Sequence, residues 1–323
     1  MKKEDLRIVF MGTPEFAVES LKALVENDYN VVGVITSPDK PAGRGYKIQQ
    51  SPVKKYALEH DIFLLQPEKL KNEVFLNELR KLKADLQIVV AFRMLPEVVW
   101  NMPPKGTFNL HASLLPQYRG AAPINWAIIN GEEETGVTTF FLSHEIDTGK
   151  IIFQKKVAIE KNDNAETLHN KLMKEGAGLV IKTVDAILND TVETISQNEY
   201  LANQTELKPA PKIYRETCKI NWDQPTKNIY NFIRGLSPYP AAWTVLEIDP
   251  ENTLHLKLFE SSVMNENHAL LPGTIVTDNK TYLNVATKDG FIGISDIQPA
   301  GKKRMKIRDF LNGFHIPNHA VFK

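Results

Sequence analysis

The chain has 323 residues, a length that predicts two domains because one hydrophobic core seldom extends over so many residues. Its hydrophobic content of 42% and charged content of 24% are typical of a globular protein, and no apolar run reaches the roughly 18–20 residues of a membrane span. The single cysteine, Cys218, excludes an intrachain disulfide and a cysteine-based zinc site. The first residues include acids and no cleavage site, so we expect a cytoplasmic protein without a signal peptide.

The formal net charge is zero, but the charges are unevenly distributed. Residues 1–207 hold 24 Lys and Arg against 28 Asp and Glu, which gives −4, whereas residues 208–323 hold 15 against 11, which gives +4. A cationic segment in a neutral protein favours a polyanionic partner, although uneven surface charge can also be without function.

Apolar strands alternate with helical patterns over residues 1–189. The pattern predicts strands at 6–11, 31–35, 62–65, 86–92, 107–111, 136–142 and 151–159, and helices at 14–25, 52–60, 74–82, 121–129 and 165–188. Such alternation predicts an α/β fold with a doubly wound, mostly parallel sheet. Ligands of these sheets bind beyond the carboxyl ends of the strands.

The pattern changes after a polar, proline-containing segment at 189–211, which we interpret as a linker. A helix at 226–234 is followed by short strands at 242–248, 254–259, 273–276, 282–286 and 291–297. Turn signals between these strands predict a small, OB-like β-barrel. The predicted domains are therefore 1–189 and 208–323, with a linker at 190–207.

The most informative residues are Asn109 and His111, at the end of a predicted strand, and Asp147, after the next apolar run. Alternation along a strand places Asn109 and His111 on the same face. They can then supply two hydrogen-bond donors to a developing oxyanion, while Asp147 orients the histidine or accepts a proton. The arrangement indicates acyl transfer without an obvious protein nucleophile.

Three other chemistries are disfavoured by spacing. A metal site is one alternative, because His144, Glu145 and Asp147 lie close in sequence and could join His111 as ligands. Their spacing matches no zinc pattern, so we expect no metal. Gly12-Thr-Pro14 lacks the further glycines of a dinucleotide-binding turn, and no P-loop lysine follows. Cys218 has no His or Asn pattern around it that would favour a nucleophile.

Several basic segments suit contacts with phosphate groups, although a solvated surface is the alternative for each. The loop at 37–47 contains Pro and Gly and is predicted to be irregular. The residues that we assign to nucleic-acid binding are Lys40, Arg44 and Lys47 in this loop and Lys212, Lys302, Lys303 and Arg304 in the second domain.

The segment Asn109-Leu-His111-Ala-Ser-Leu-Leu-Pro116-Gln-Tyr-Arg-Gly resembles the folate-dependent formyltransferases. The resemblance extends along the chain through the Gly12-Thr-Pro start, the loop at 41–45, Asp147-Thr-Gly149, the turn at 237–240 and the segment at 298–302. These motifs are specific in combination.

The resemblance implies that the first domain binds 10-formyltetrahydrofolate and that the barrel binds tRNA. Its implied catalytic residues are Asn109, His111 and Asp147. The implied folate contacts are Ser113, Leu114, Leu115 and Pro116, together with Arg93, Met94 and Leu95, a run similar to one that lines the pterin slot in glycinamide ribonucleotide formyltransferases. A cis Leu115–Pro116 bond is also expected from the resemblance.

The activity implied is transfer of a formyl group from 10-formyltetrahydrofolate to the α-amino group of methionine on initiator methionyl-tRNA, for translation initiation. A sugar-nucleotide formyltransferase that uses the same donor is the alternative, but it normally lacks the loop at 41–45. A non-catalytic RNA-binding protein on the same scaffold is a third possibility, which intact Asn109, His111 and Asp147 disfavour. No long apolar interface stripe is visible in the sequence, so we expect a monomer.

Overall fold

The computed structural model describes residues 2–42, 47–201 and 206–323. Their contacts divide the chain into two compact units whose segments interleave. The first unit comprises Met1–Gly120, Glu134–Ala158 and His169–Pro209, and the second comprises Ala121–Glu133, Ile159–Leu168 and Ala210–Lys323. The domain boundaries drawn from the sequence stay a prediction.

The chain up to residue 201 alternates between strands and helices. The strands are β1 (Ile8–Gly12), β2 (Val31–Ile35), β3 (Lys40–Ala42), β4 (Lys47–Gln49), β5 (Leu64–Leu65), β6 (Leu86–Val90), β7 (Thr107–His111), β8 (Glu134–Phe141) and β9 (Ile151–Ala158). The helices are α1 (Glu15–Glu26), α2 (Pro52–Glu59), α3 (Glu73–Lys81), α4 (Glu97–Trp100), α5 (Pro123–Ile129), α6 (Ala165–Leu188) and α7 (Gln197–Leu201).

Seven strands form the sheet of the first unit in the order β5-β2-β1-β6-β7-β8-β9. β5, β2, β1, β6 and β7 are parallel, whereas β8 and β9 are antiparallel to their neighbours. Every residue of β1 and β6 is buried, as expected of strands covered on both faces. The prediction of a mostly parallel α/β sheet is confirmed.

One local feature, the β3–β4 ribbon, differs from its prediction, and two further features were not predicted. β8 and β9 are antiparallel because the short connection between them cannot carry a parallel crossover. β3 and β4 form a two-stranded ribbon within the segment expected to be irregular, and a two-stranded ribbon tolerates Pro41 because every strand in it is an edge. Helix α7 lies in the segment interpreted as a linker.

The second unit contains the elements after residue 210. They are α8 (Thr226–Leu236), β10 (Ala242–Asp249), β11 (Asn252–Met264), β12 (Ile275–Thr277), β13 (Leu283–Ala286), β14 (Phe291–Pro299), β15 (Met305–Lys306), α9 (Ile307–Gly313) and β16 (Val321–Phe322). The main strand order is β12-β13-β14-β11-β10-β16, and β15 pairs with β14. A bridge between Thr274 and Val321 joins the two ends of this sheet, which makes the antiparallel barrel nearly closed.

Alternating side chains of the barrel strands fill its interior. β10 alternates buried and half-buried residues along most of its length, which is typical of an antiparallel strand with one face in the core. Trp222, Leu258 and Ile292 are buried in this core together with Ile233 of α8. The predicted barrel is confirmed. No helix within the described residues combines the length and apolarity that crossing a membrane requires.

A buried carboxylate stabilises the pairing of β14 with β15. Asp296 accepts hydrogen bonds from Arg304 Nε at 2.8 Å and Nη2 at 3.0 Å, and Lys306 Nζ lies 3.1 Å from Asp296 Oδ2. The Arg304 guanidinium also lies 4.5 Å from the centre of the Phe259 ring. Burial acts to raise the pKa of Asp296, but the bonds from Arg304 and Lys306 outweigh it and hold that pKa below its usual value.

Replacing Asp296 with Asn should lower the free energy of unfolding at pH 7 by about 1–2 kcal/mol, because charged hydrogen bonds are lost while both cations stay partly solvated. The folded pKa lies below the unfolded value of about 3.9, so the wild-type advantage is complete above that pH and is lost as the pH falls through the folded pKa. Denaturant unfolding of both proteins between pH 7 and pH 3 measures it. The exposed substitution Asp223→Asn is the control, and an advantage that grows on acidification would contradict the prediction.

Candidate active site

Two polar side chains project from the end of β7. This strand lies between parallel β6 and antiparallel β8, where Asn109 pairs with Val89 and Phe140, and His111 pairs with Thr138. His111 is the last residue of the strand and is buried, whereas Asn109 is half-buried. Within the described residues the Asn109 amide makes no hydrogen bond, so its N–H groups are available to a ligand.

The two ring nitrogens of His111 have different surroundings. Nε2 lies 2.8 Å from the carbonyl oxygen of Tyr118, and a carbonyl only accepts, so Nε2 carries a proton. Nδ1 lies 3.9 Å from Oδ2 of Asp147. The Tyr118 carbonyl therefore sets the tautomer of His111, and Nδ1 is the atom available to exchange a proton.

Asp147 reaches His111 from a tightly constrained loop. Its φ of 56° is in the left-handed region, and its Oδ2 accepts a hydrogen bond from the Gly120 N–H at 3.1 Å. A Cβ at Gly149 would lie 1.6 Å from the Phe141 carbonyl oxygen, so only glycine permits this approach of the loop to β8. These contacts explain why Asp and Gly occur in the Asp147-Thr-Gly149 motif.

Gln197, the first residue of α7, holds this loop in place. Its Nε2 donates to the carbonyl oxygens of Asp147 and Gly149, both at 2.8 Å, and its Oε1 accepts from Arg119 Nε at 3.0 Å. The side chain is 2% exposed, so these bonds are shielded from water. Gln197 is not predictable from the sequence, because a single glutamine in a polar segment carries no signal of what it contacts.

Arg119 is held beside the same loop. Burial lowers the pKa of its guanidinium, and the nearby carboxylates of Asp147 and Glu145 oppose that shift. The Arg119 guanidinium donates its hydrogen bonds to the neutral side chain of Gln197. Arg119 therefore interacts with the Asp147 carboxylate electrostatically, without a hydrogen bond between them. The carboxylate that faces His111 therefore lies next to a partly desolvated cation.

The loop from Ser113 to Gln117 is fixed by hydrogen bonds to β8 and β9. Thr138 Oγ1 donates to the Ser113 carbonyl at 2.6 Å, and Gln154 Nε2 donates to the Leu115 carbonyl at 2.8 Å. The Ser113 hydroxyl donates to the Gln117 carbonyl at 2.6 Å. The side chains of Ser113 and Leu115 are buried, whereas Leu114 is half-buried. The peptide bond between Leu115 and Pro116 is cis, as predicted.

The segment after β6 reaches the same edge of the sheet, because β6 and β7 are parallel neighbours. Ala91, with φ of 47°, directly follows the last residue of β6 and turns the chain. Met94, which is 71% exposed, and buried Leu95 line an open cleft of about 900 Å³. Arg93 instead donates to the carbonyl oxygens of Pro67 and Glu68, and burial lowers its pKa. Its predicted role toward a ligand stays a prediction.

His144 and Cys218, which were considered for other chemistries, have surroundings of their own. His144 is exposed and lies 3.7 Å from the Glu97 carboxylate, on α4. In the part of the chain that the structure describes, no three His, Cys, Asp or Glu side chains are grouped as metal ligands. Cys218 is buried in the second unit, and burial raises the pKa of its thiol, which disfavours a nucleophilic role.

The basic residues assigned to nucleic-acid binding have diverse surroundings. Lys40, Lys212, Lys302 and Lys303 are exposed, whereas Arg304 is already paired with Asp296 and Glu260. The backbone of Lys47 begins β4, and Arg44 lies outside the described residues. All of these assignments stay predictions, and the Arg304 side chain has an evident structural role.

Comparison with known families defines the class of protein. The formyl transferase family model matches residues 6–198, and the model of the formyl transferase C-terminal domain matches residues 212–315. The chain therefore belongs to the formyl transferase family, a class of enzymes that transfer formyl groups.

The names of similar proteins indicate a particular activity within this class. Proteins named methionyl-tRNA formyltransferase from Bacteroides fragilis and Bacteroides thetaiotaomicron are both 65% identical to this chain, over 317 and 316 residues. The alignments cover 98% of this chain and 97% and 98% of those proteins, respectively. The chain is similar to these enzymes over nearly its full length.

Solved structures share the fold at lower identity. An N-formyltransferase from Helicobacter canadensis, in complex with folinic acid and dTDP-3-aminofucose, is 25% identical with a TM-score of 0.64 and covers 94% of this chain and 100% of its own. HypX from Aquifex aeolicus is 19% identical with a TM-score of 0.63, and the match covers 96% of this chain and 47% of that protein. The second likeness concerns the fold alone.

Replacing Gln197 with Glu should lower kcat for formyl transfer by on the order of 10-fold with little change in KM, because a carboxylate keeps the Arg119 contact but cannot donate to the two loop carbonyls. Steady-state kinetics with thermal melts measure both effects. Asn198→Asp, at an exposed neighbouring position, introduces the same charge and is the control. Equal kcat values for both variants and the wild type would remove the positioning role.

Proposed function

We propose that this enzyme transfers the formyl group of 10-formyltetrahydrofolate to the α-amino group of methionine on initiator methionyl-tRNA. The observation that carries the proposal is the arrangement at the end of β7, where His111 faces Asp147 and the Asn109 amide is available. The full-length similarity to methionyl-tRNA formyltransferases supports this acceptor. Folate as co-substrate, a cytoplasmic location and a monomeric state are part of the proposal.

In the proposed reaction the methionine amine attacks the formyl carbon, and tetrahydrofolate departs from that carbon through its N10. Negative charge develops on the formyl oxygen, and the Asn109 amide donates a hydrogen bond to it. Because Nε2 is bound to the Tyr118 carbonyl, His111 acts through Nδ1. A neutral ring accepts the amine proton there, and the resulting Nδ1–H becomes a second donor to the oxyanion. When the bond between the formyl carbon and N10 breaks, its electron pair stays on N10, which takes this proton from Nδ1, so that tetrahydrofolate leaves neutral at N10 and the ring returns to its neutral form.

Asp147 has two roles in this scheme. Its carboxylate lies 3.9 Å from Nδ1 and stabilises the positive charge that the ring acquires with the proton. It also restricts where the ring can turn, because its own position is fixed by the Gly120 N–H and by Gln197 at its backbone. The chain supplies all of these groups in advance, so little reorganisation is required during the reaction.

Asn109→Ala and His111→Ala should each lower formyl transfer by about 100- to 1,000-fold, because each removes a donor to the developing oxyanion. The measurement is the rate of transfer from 10-formyltetrahydrofolate to charged initiator tRNA. His60→Ala, an exposed histidine on the surface, is the control. Near-normal transfer rates in Asn109 and His111 variants that unfold at the wild-type melting temperature would refute the assigned roles.

The sugar-nucleotide alternative is tested in the same assay, because the Helicobacter canadensis structure contains dTDP-3-aminofucose. We expect no formyl transfer to that amino sugar under conditions in which charged initiator tRNA is formylated. Transfer to the amino sugar and none to the tRNA would favour the alternative.

We propose that the exposed side chains of Lys302 and Lys303 contact phosphate groups of the tRNA. Replacing both with Ala should raise KM for the tRNA and lower the slope of log KM against log salt by about 2, since each phosphate contact contributes roughly 1. The matched control replaces Lys55 and Lys69, which are exposed on the first unit. An unchanged slope in the Lys302 and Lys303 double variant would exclude these two contacts.

A further inference from the structure

A second cleft, of about 530 Å³, lies within the barrel unit. It is formed by the segment at 213–218, residues 239–243 at the start of β10, residues 255–257 of β11 and residues 298–301 at the end of β14, and we call it the aromatic cleft. Its volume is in the range of sites for small organic groups. None of the catalytic residues proposed above lines it, so its chemistry needs a separate explanation.

Aromatic side chains dominate the open rim of this cleft. Tyr239 is 82% exposed and Tyr214 is 56% exposed, an unusual state for large rings. Trp243 is held in position by a hydrogen bond from its Nε1 to the Arg215 carbonyl at 2.7 Å, and its ring centre lies 5.6 Å from that of His255. The cleft thus presents ring faces on which a planar group can stack.

The strand register directs further groups to the same surface. Trp243 of β10 pairs with Lys257 of β11, and Val245 pairs with His255, so alternation places these side chains on the outer face of the barrel. Lys257 Nζ also donates to the Pro240 carbonyl at 3.3 Å, which connects the strand to the turn that carries Tyr239. The paired strands β10 and β11 therefore hold these aromatic and cationic side chains on the same surface.

The charge around the aromatic cleft is positive. Arg215 and Lys257 line it, and the carboxylate of Glu216, in the segment at 213–218, is not among the described residues that line it. Lys212 Nζ lies 5.4 Å from the centre of the Tyr214 ring, and Lys219 Nζ lies 5.8 Å from that of Trp243. Exposed rings alternating with cations are the combination that binds unpaired nucleotides, whose bases stack while their phosphates contact the cations.

We propose that the aromatic cleft is a subsite for an unpaired nucleotide of the RNA substrate, a role that rests on the proposed function. The base stacks on Tyr239 and on the Trp243 and His255 rings, and the phosphate contacts Lys257 and Arg215. A base-paired nucleotide cannot offer its face to these rings, because neighbouring base pairs already cover it. The cleft therefore binds single-stranded RNA and discriminates against a blunt duplex.

The probe is a single-stranded RNA tetranucleotide that carries 2-aminopurine, titrated with the intact protein. Stacking should quench the 2-aminopurine fluorescence, and a fully paired RNA duplex without a loop should compete on the order of 10-fold more weakly, per nucleotide, than the unlabelled tetranucleotide. Equal competition by the duplex would overturn the proposal. Competition by an acidic peptide but not by RNA would also overturn it, in favour of a protein partner.

Tyr239→Ala should raise the Kd of the tetranucleotide on the order of 10-fold, the value of one stacked base. This residue is 82% exposed, so the fold should be unaffected, and Tyr282→Ala, 41% exposed on the same unit, is the matched control. Equal Kd values for Tyr239→Ala and the wild type would overturn the subsite.

Formyl transfer to charged initiator tRNA, measured on the same samples, separates the two proposals. Normal transfer without tetranucleotide binding would exclude the subsite and leave the proposed function intact. Absence of transfer to the tRNA by the wild-type enzyme would instead contradict the proposed function.

Discussion

The contact between His111 and Asp147 depends on three backbone carbonyls and on the Gln197 side chain that binds two of them. Tyr118 supplies one carbonyl, which fixes the protonated nitrogen of His111, and Asp147 and Gly149 supply two more, which Gln197 binds. The Tyr118 residue has a φ of 59°, so both loops that meet at the histidine contain a left-handed residue other than glycine. Strained backbone of this kind persists only where surrounding hydrogen bonds determine it, and here those bonds surround the proposed reaction centre.

The rest of the first unit serves to keep these loops in register. Strands β1 and β6 are buried on both faces, and the parallel neighbours β6 and β7 end at one edge, which brings the residues after them together. The antiparallel addition of β8 and β9 supplies Thr138 and Gln154, whose hydrogen bonds fix the loop after His111. A wholly parallel sheet would need a long crossover at this point, and the short connection that carries Asp147 would be lost.

The sequence predicted the parts of the site that follow from periodicity. Alternation alone places Asn109 and His111 on one face, whereas the close backbone approach that requires glycine at position 149 was not predicted. The roles of Gln197 and of the Tyr118 carbonyl cannot be predicted from periodicity. Gln197 binds a loop that is distant from it in sequence, so only the tertiary structure shows the contact. The Tyr118 carbonyl is a backbone group, which every residue possesses. The β3–β4 ribbon was missed because paired strands this short have too few residues to establish a period.

Because the two units interleave along the sequence, cutting the chain at one position does not separate them. A fragment that starts at residue 210 omits Ala121–Glu133 and Ile159–Leu168, which belong to the barrel unit. Asn125, in the first omitted piece, donates to the Gly235 carbonyl at 2.8 Å, and Arg234 donates to the Asp163 carbonyl in the second, also at 2.8 Å. Such a fragment would expose the surface of α8 that these pieces cover, so the barrel is best expressed and studied within the uncut polypeptide.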